Sequence, residues 1–119
     1  YFDASKILKG VDFTEGHHVL SSDWTCGAIL NARLLSKAYE TTHPDWALSL
    51  KKDALSMRHG LELLRVKTSE GGLAYLYANT RSFIPFGWWA NPVPSLAASA
   101  WVVMIDLHFN PFVLGGGSS

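Results

Sequence analysis

Apolar residues return at helical spacing twice in the first half of the chain. Trp24, Ala28, Ala32, Leu35 and Tyr39 recur every three or four residues, which predicts an amphipathic helix that begins at Ser22 and fades at Thr41 and Thr42. Ser22 suits an N-cap, and Asp23 complements the positive end of the helix dipole. Ala47, Leu50, Ala54, Met57, Leu61 and Leu64 form a second stripe, predicting a helix over 44–65. Thr42 or His43 can cap it, and Pro44 fits its first turn. Gly60 weakens that helix by about 1 kcal/mol relative to alanine, in return for a close contact with a neighbouring helix. The short 39–45 connection makes the two helices antiparallel neighbours, an αα-hairpin.

Before Ser22 no period is sustained. After the second helix, Glu70-Gly71-Gly72 reads as a turn and residues 73–78 as a short strand or extended segment. Pro85, Pro92 and Pro94 keep the following stretch irregular. A third helix is expected from about Ser95 to His108, and it is apolar nearly all round. Such a helix needs protein on every side. Two amphipathic companions do not suffice, so a partner or further polypeptide should complete its surroundings.

The bulk numbers sharpen this point. At 119 residues the chain has room for one core, taken as a single domain over 1–114 with a linker-like Gly/Ser tail at 115–119. Hydrophobic residues make up 48% and charged ones only 17%, more apolar surface than a small domain easily hides. Ten basic residues balance ten acidic ones, which argues against nucleic acid and against electrostatic membrane binding. The longest apolar run, 96–105, is too short to span a bilayer. Cys26 is the only cysteine, so no internal disulfide forms; at the start of a helix its pKa could fall, but no partner histidine stands at motif spacing and a buried, inert thiol is expected. The histidines at 17, 18, 43, 59 and 108 show no metal-binding spacing, and neither a metal nor a cofactor is expected. The compartment stays open, an extracellular one requiring a signal peptide upstream of Tyr1.

The most informative stretch is 83–91, Phe-Ile-Pro-Phe-Gly-Trp-Trp-Ala-Asn. Adjacent indoles diverge, so one of them should line a surface or cleft, where a flat apolar face with a polar tip suits a sugar ring or another protein. The stretches 21–29, 81–95 and 100–104 together resemble the C-terminal part of six-hairpin (α/α)-barrel carbohydrate-active proteins, the glycoside hydrolase-like helical toroids. That resemblance implies an all-α fold of αα-hairpins in an (α/α) toroid, with one short extended segment. It also implies inner and outer helices, loops bordering a glycan cleft, and upstream segments of the same protein that complete the barrel.

Glycoside hydrolysis needs two carboxyl groups flanking the scissile bond. Among Asp12, Glu15, Asp23 and Glu70, the candidates put forward are Glu15, a free loop acid, and Asp23, which competes with its own capping role. Trp88, Trp89, Asn91, Arg81 and Tyr77 would hold the glycan or oligosaccharide. Asp106, on the apolar helix, needs a partner, for which Arg81 or His108 is available. The competing function is a non-catalytic helical interaction module that forms a homo-oligomer through its apolar helix and Trp-Trp loop.

Overall fold

The structure is a computed structural model that describes residues 1–16 and 18–118; the histidine at 17 and the last tail residue, 119, lie outside it. Helices α1 (Ser22–Tyr39) and α2 (Pro44–Leu61) form the expected hairpin. A 3-10 turn (Glu62–Leu64) then leads into β1 (Arg65–Lys67). After it come β2 (Leu73–Leu76), β3 (Ser82–Ile84), β4 (Trp88–Ala90), β5 (Pro94–Ser95) and α3 (Leu96–Asp106). The strands make two antiparallel sheets, one ordered β1-β2-β5 and one formed by β3 and β4.

The fold is therefore mixed α+β, which corrects the all-α expectation. It also removes the (α/α) toroid and, with it, the basis for a six-hairpin, glycoside hydrolase-like chain. A toroid repeats helical hairpins, whereas this chain builds one and then runs through five strands before α3. The extended segment expected over 73–78 holds β2; the other strands escaped the sequence pattern because they are two or three residues long, too short for an alternating period to accumulate. The prolines did not prevent them. Pro85 lies just outside β3 in a three-residue turn, where a proline-set φ is acceptable. Gly87 closes that turn at φ 108, a conformation that side-chain-bearing residues rarely adopt, and donates its N–H to the Ile84 carbonyl at 2.9 Å.

In α2 the buried positions Ala47, Ala54, Met57, Gly60 and Leu61 follow the expected stripe. In α1 the period holds but the face is rotated. Thr25, Cys26, Ile29, Leu30, Ala32 and Ser36 are buried, while Trp24 and Leu35 are exposed. The main core gathers Leu20, Ile29, Leu30, Met57, Leu61, Leu64, Val102 and Ile105. A smaller one, Phe13, Val19, Ala78, Ile84 and Ala90, lies under the β3–β4 hairpin. Gly60 does give close access, though to the N-terminal segment and not to a helix: a Cβ there would stand 1.8 Å from the Lys9 carbonyl oxygen.

The N-terminus of α1 is pinned to the first sheet. Ser22 donates its N–H to Tyr77 and its hydroxyl to the Leu76 carbonyl, and Ser21 bridges Ala78. At α3, the Ser95 hydroxyl caps the helix by accepting from the Ala98 N–H, and the Tyr75 N–H donates to the Ser99 hydroxyl. Asp106 finds neither Arg81 nor His108 as its main partner. Arg58 of α2 grips it through two hydrogen bonds of 2.6 and 2.8 Å, and also reaches Glu62 at 2.7 Å. The Cys26 thiol is fully buried, and burial pushes its pKa up to about 12, so desolvation prevails over the helix dipole. No helix among the described residues is long and apolar enough to cross a membrane.

This clamp carries a pH prediction. The hydrogen bonds from Arg58 hold both the Asp106 and Glu62 carboxyls below their ordinary values of 3.8 and 4.5. A depressed carboxylate adds stability that is present above its ordinary value and lost as pH falls through the folded one. Both groups are over a third exposed, so solvent screening limits the gain. We predict that Arg58→Ala costs about 1 kcal/mol at neutral pH and flattens the acid limb of stability. Urea unfolding at pH 7 and pH 3 checks this, and an unchanged acid limb would rule it out.

Candidate functional site

The β3–β4 hairpin sorts its aromatics by strand alternation. Residues opposite one another share a face, and pairing sets Ile84 against Trp88 and Phe83 against Trp89. Trp89 therefore lies on the outer face, 5.3 Å from the Phe83 ring, with the Arg81 guanidinium 4.2 Å above its centroid. Trp88 faces the other way and donates its ring N–H to the Tyr77 hydroxyl at 3.2 Å. It packs edge-on to Phe13 and stacks with Phe86. Both indoles keep substantial exposure, and neither plugs the core. The Asn91 side-chain amide donates to the Trp89 carbonyl over a long 3.4 Å, and its backbone carbonyl accepts from the Val93 N–H at 2.9 Å.

The aromatic row continues from Phe13 to Trp24, 6.4 Å away and edge-on. Trp24 borders an open cleft of about 540 Å³ that Asp12, Asp23, Asn31 and Trp101 also line. Here Asp23 has one carboxylate oxygen that is buried with no hydrogen-bond partner among the described residues. Burial raises its pKa above the ordinary value of 3.8. Asp12 is committed to the backbone, accepting from the Phe13 N–H at 2.6 Å and the Val19 N–H at 2.7 Å.

Asp23 and Glu15 are not brought together around one space. Glu15 borders a separate cleft of about 390 Å³ with Tyr1, Phe2, Thr14 and His18; only Asp12 lines both. Trp88 and Tyr77 meet each other and reach toward Trp24 through Phe13, whereas Trp89 and Arg81 lie on the opposite face of the hairpin. Sequence reasoning missed Trp24, Asn31 and Trp101 as cleft residues. The signal was present: Trp24, Gly27, Ala28 and Asn31 are spaced as one helix face, and Asn31 and Gly27 mark it as poor core.

A second feature is apolar. Leu96, Val103 and Leu107 are exposed, Leu96 at 88%, and Ala97 and Ala100 are exposed between them. Positions 96, 100, 103 and 107 fall on one side of α3 and its end, so the exposed residues make a stripe. Beyond the helix, Phe112 and Leu114 are also exposed, the latter completely. Ala98, Val102 and Ile105, on the other side, are buried in the fold. No group of three metal-ligating side chains is present among the described residues. No family model matches the chain, and neither curated proteins nor solved structures give a match, so nothing outside the chain supports the glycoside hydrolase-like resemblance.

Proposed function

We propose that this chain is a non-catalytic interaction module that buries the outer face of α3 against another polypeptide, a second copy of itself when it is alone. The observation that carries this reading is the exposed Leu96–Val103–Leu107 stripe on a helix whose opposite face is fully buried. Monomers rarely leave a contiguous apolar patch larger than a few hundred Å² uncovered. Ala100 keeps the centre of the stripe low, so that a second α3 can approach closely across a two-fold axis. The aromatic hairpin, with Phe83, Phe86 and Trp89 exposed, adds the large rigid side chains that interfaces favour.

Size-exclusion chromatography with light scattering tests this. The wild-type chain is expected to run as a dimer or larger at micromolar concentration, and Val103→Lys/Leu107→Lys as a monomer with an unchanged melting curve. A monodisperse, soluble wild-type monomer at that concentration would remove the proposal.

A second reading rests on Asp23. Its unpartnered oxygen opens a cleft that Trp24 and Trp101 also border, and a saccharide hydroxyl would supply the missing donor while the indoles stack on the ring. Trp24 is half exposed, so Trp24→Ala should leave the fold intact and weaken oligosaccharide binding by about tenfold or more. Tryptophan fluorescence titrated with an oligosaccharide panel reads this out. Absence of saturable binding to every member would end the saccharide reading without touching the first.

A further inference from the structure

Positive charge collects in one cleft of a chain whose formal net charge is zero. This space of about 310 Å³ is lined by Arg33, Ser36, Lys37, Glu40, Lys51 and His108. Its acids are already engaged. Glu40 pairs with Lys51 at 3.0 Å. Asp106, whose charge also acts on Arg33, is held through both oxygens by Arg58. Arg33 is left with one N–H donated to the Ile105 carbonyl at 2.7 Å and no ion pair among the described residues. Its burial is uncompensated to the extent that desolvation lowers its pKa. Lys37 stands one turn further along the same face of α1 and has no ion pair among the described residues either.

We infer that this cleft binds a phosphate or sulfate oxyanion, free or as the terminal ester of a small molecule. Arg33 supplies a planar fork with N–H groups to spare, the geometry that matches such oxyanions, and Lys37 supplies a mobile point charge one turn away on the same helix face. Ser36 takes no part, since its buried hydroxyl donates to the Ala47 carbonyl. The plain alternative is that both cations merely complement the negative ends of α1 and α3. Only the oxyanion site predicts saturation by a ligand.

The test is a ¹⁵N-detected NMR titration of the full chain with sodium phosphate, sodium sulfate and glycerol phosphate, against sodium chloride at matched ionic strength. Saturable shifts confined to the resonances of Arg33, Lys37 and Lys51 and their neighbours are expected with the oxyanions alone. Stronger binding of glycerol phosphate than of inorganic phosphate would mark an ester as the ligand; the reverse would mark the free ion. Lys37→Glu, on an exposed side chain, should weaken binding about tenfold, and Glu40→Gln should tighten it about twofold, a gain that misfolding cannot imitate. Shifts that match those in chloride, or affinities indifferent to both substitutions, would overturn the inference.

Discussion

Gly60→Ala is expected to lower the unfolding free energy by about 2 kcal/mol, although alanine is the better helix former by about 1 kcal/mol. The gain in propensity is real, because Gly60 lies in the last turn of α2. Against it stands the N-terminal segment. A Cβ at Gly60 would meet the Lys9 oxygen at 1.8 Å, its carbonyl carbon at 2.5 Å and its Cα at 2.7 Å. These are backbone atoms and cannot swing aside as a side-chain tip would. The segment is also tied down at the peptide just before the contact. Lys9 donates its N–H to the Tyr1 carbonyl, and Ser56, one turn earlier on α2, donates its hydroxyl to the Leu8 carbonyl. Overpacking therefore outweighs propensity. Thermal or urea unfolding measures the difference, and a Gly60→Ala protein as stable as the wild type would show that the 1–10 segment is not held against α2.

Ile105→Ala should cost more, about 3 kcal/mol, through lost burial and a cavity that its neighbours fill only in part. Ile105 has no exposed surface and sits in the main core with Leu20, Ile29, Leu61 and Leu64. Val103, two residues away, is more than half exposed. Val103→Ala should change stability by less than about 0.5 kcal/mol. The contrast divides α3 into a face that holds the domain together and a face that the domain leaves bare. Equal losses at the two positions in a demonstrated monomer would mean that α3 is enclosed on both sides.

The helices were legible because their signal accumulates over many residues. Eighteen residues of α2 carry five turns of stripe, and the cap region before Pro44 marks where it starts. Choosing the buried face of α1 was harder. Trp24 and Leu35 outweigh Cys26 and Thr25 in hydrophobicity, yet the core takes the smaller pair, since α1 lies close to the N-terminal segment there and the Thr25 hydroxyl must accept from the Val11 N–H. Apart from the extended 73–78 segment, the strands were hidden for a different reason. Each is two or three residues long, and β5 is held by register with a partner distant in sequence, as Ser95 is with Tyr75, which local pattern does not contain. The divergence of the two indoles is legible in the sequence, because alternation in a strand separates neighbours as a loop would, but the stretch is a strand hairpin and not the irregular loop its prolines suggest. Its hairpin was announced only by Pro85 and Gly87.

The candidate site was partly legible. The carboxyl chemistry of Asp23 is legible in the sequence, but its environment, one buried oxygen beside Trp24 with no partner among the described residues, depends on packing that no spacing reveals. Glu15 reads in the sequence as a free loop acid, and the fold turns it toward a different cleft. The bareness of α3, by contrast, followed from composition alone: ten apolar residues between 96 and 107 exceed what two amphipathic helices can cover. The sheet that joined them covers one side only.

Alkylation of Val103→Cys, followed across protein concentration, probes that bareness directly. Cys26 is buried and protonated, with its pKa near 12, so it contributes no background. At high dilution the new thiol should react as fast as one in an unfolded peptide, and it should become protected as the concentration rises and the stripe is covered. Protection that persists at every dilution would show that the chain shields α3 by itself. A rate that never changes with concentration would show that no second copy covers it.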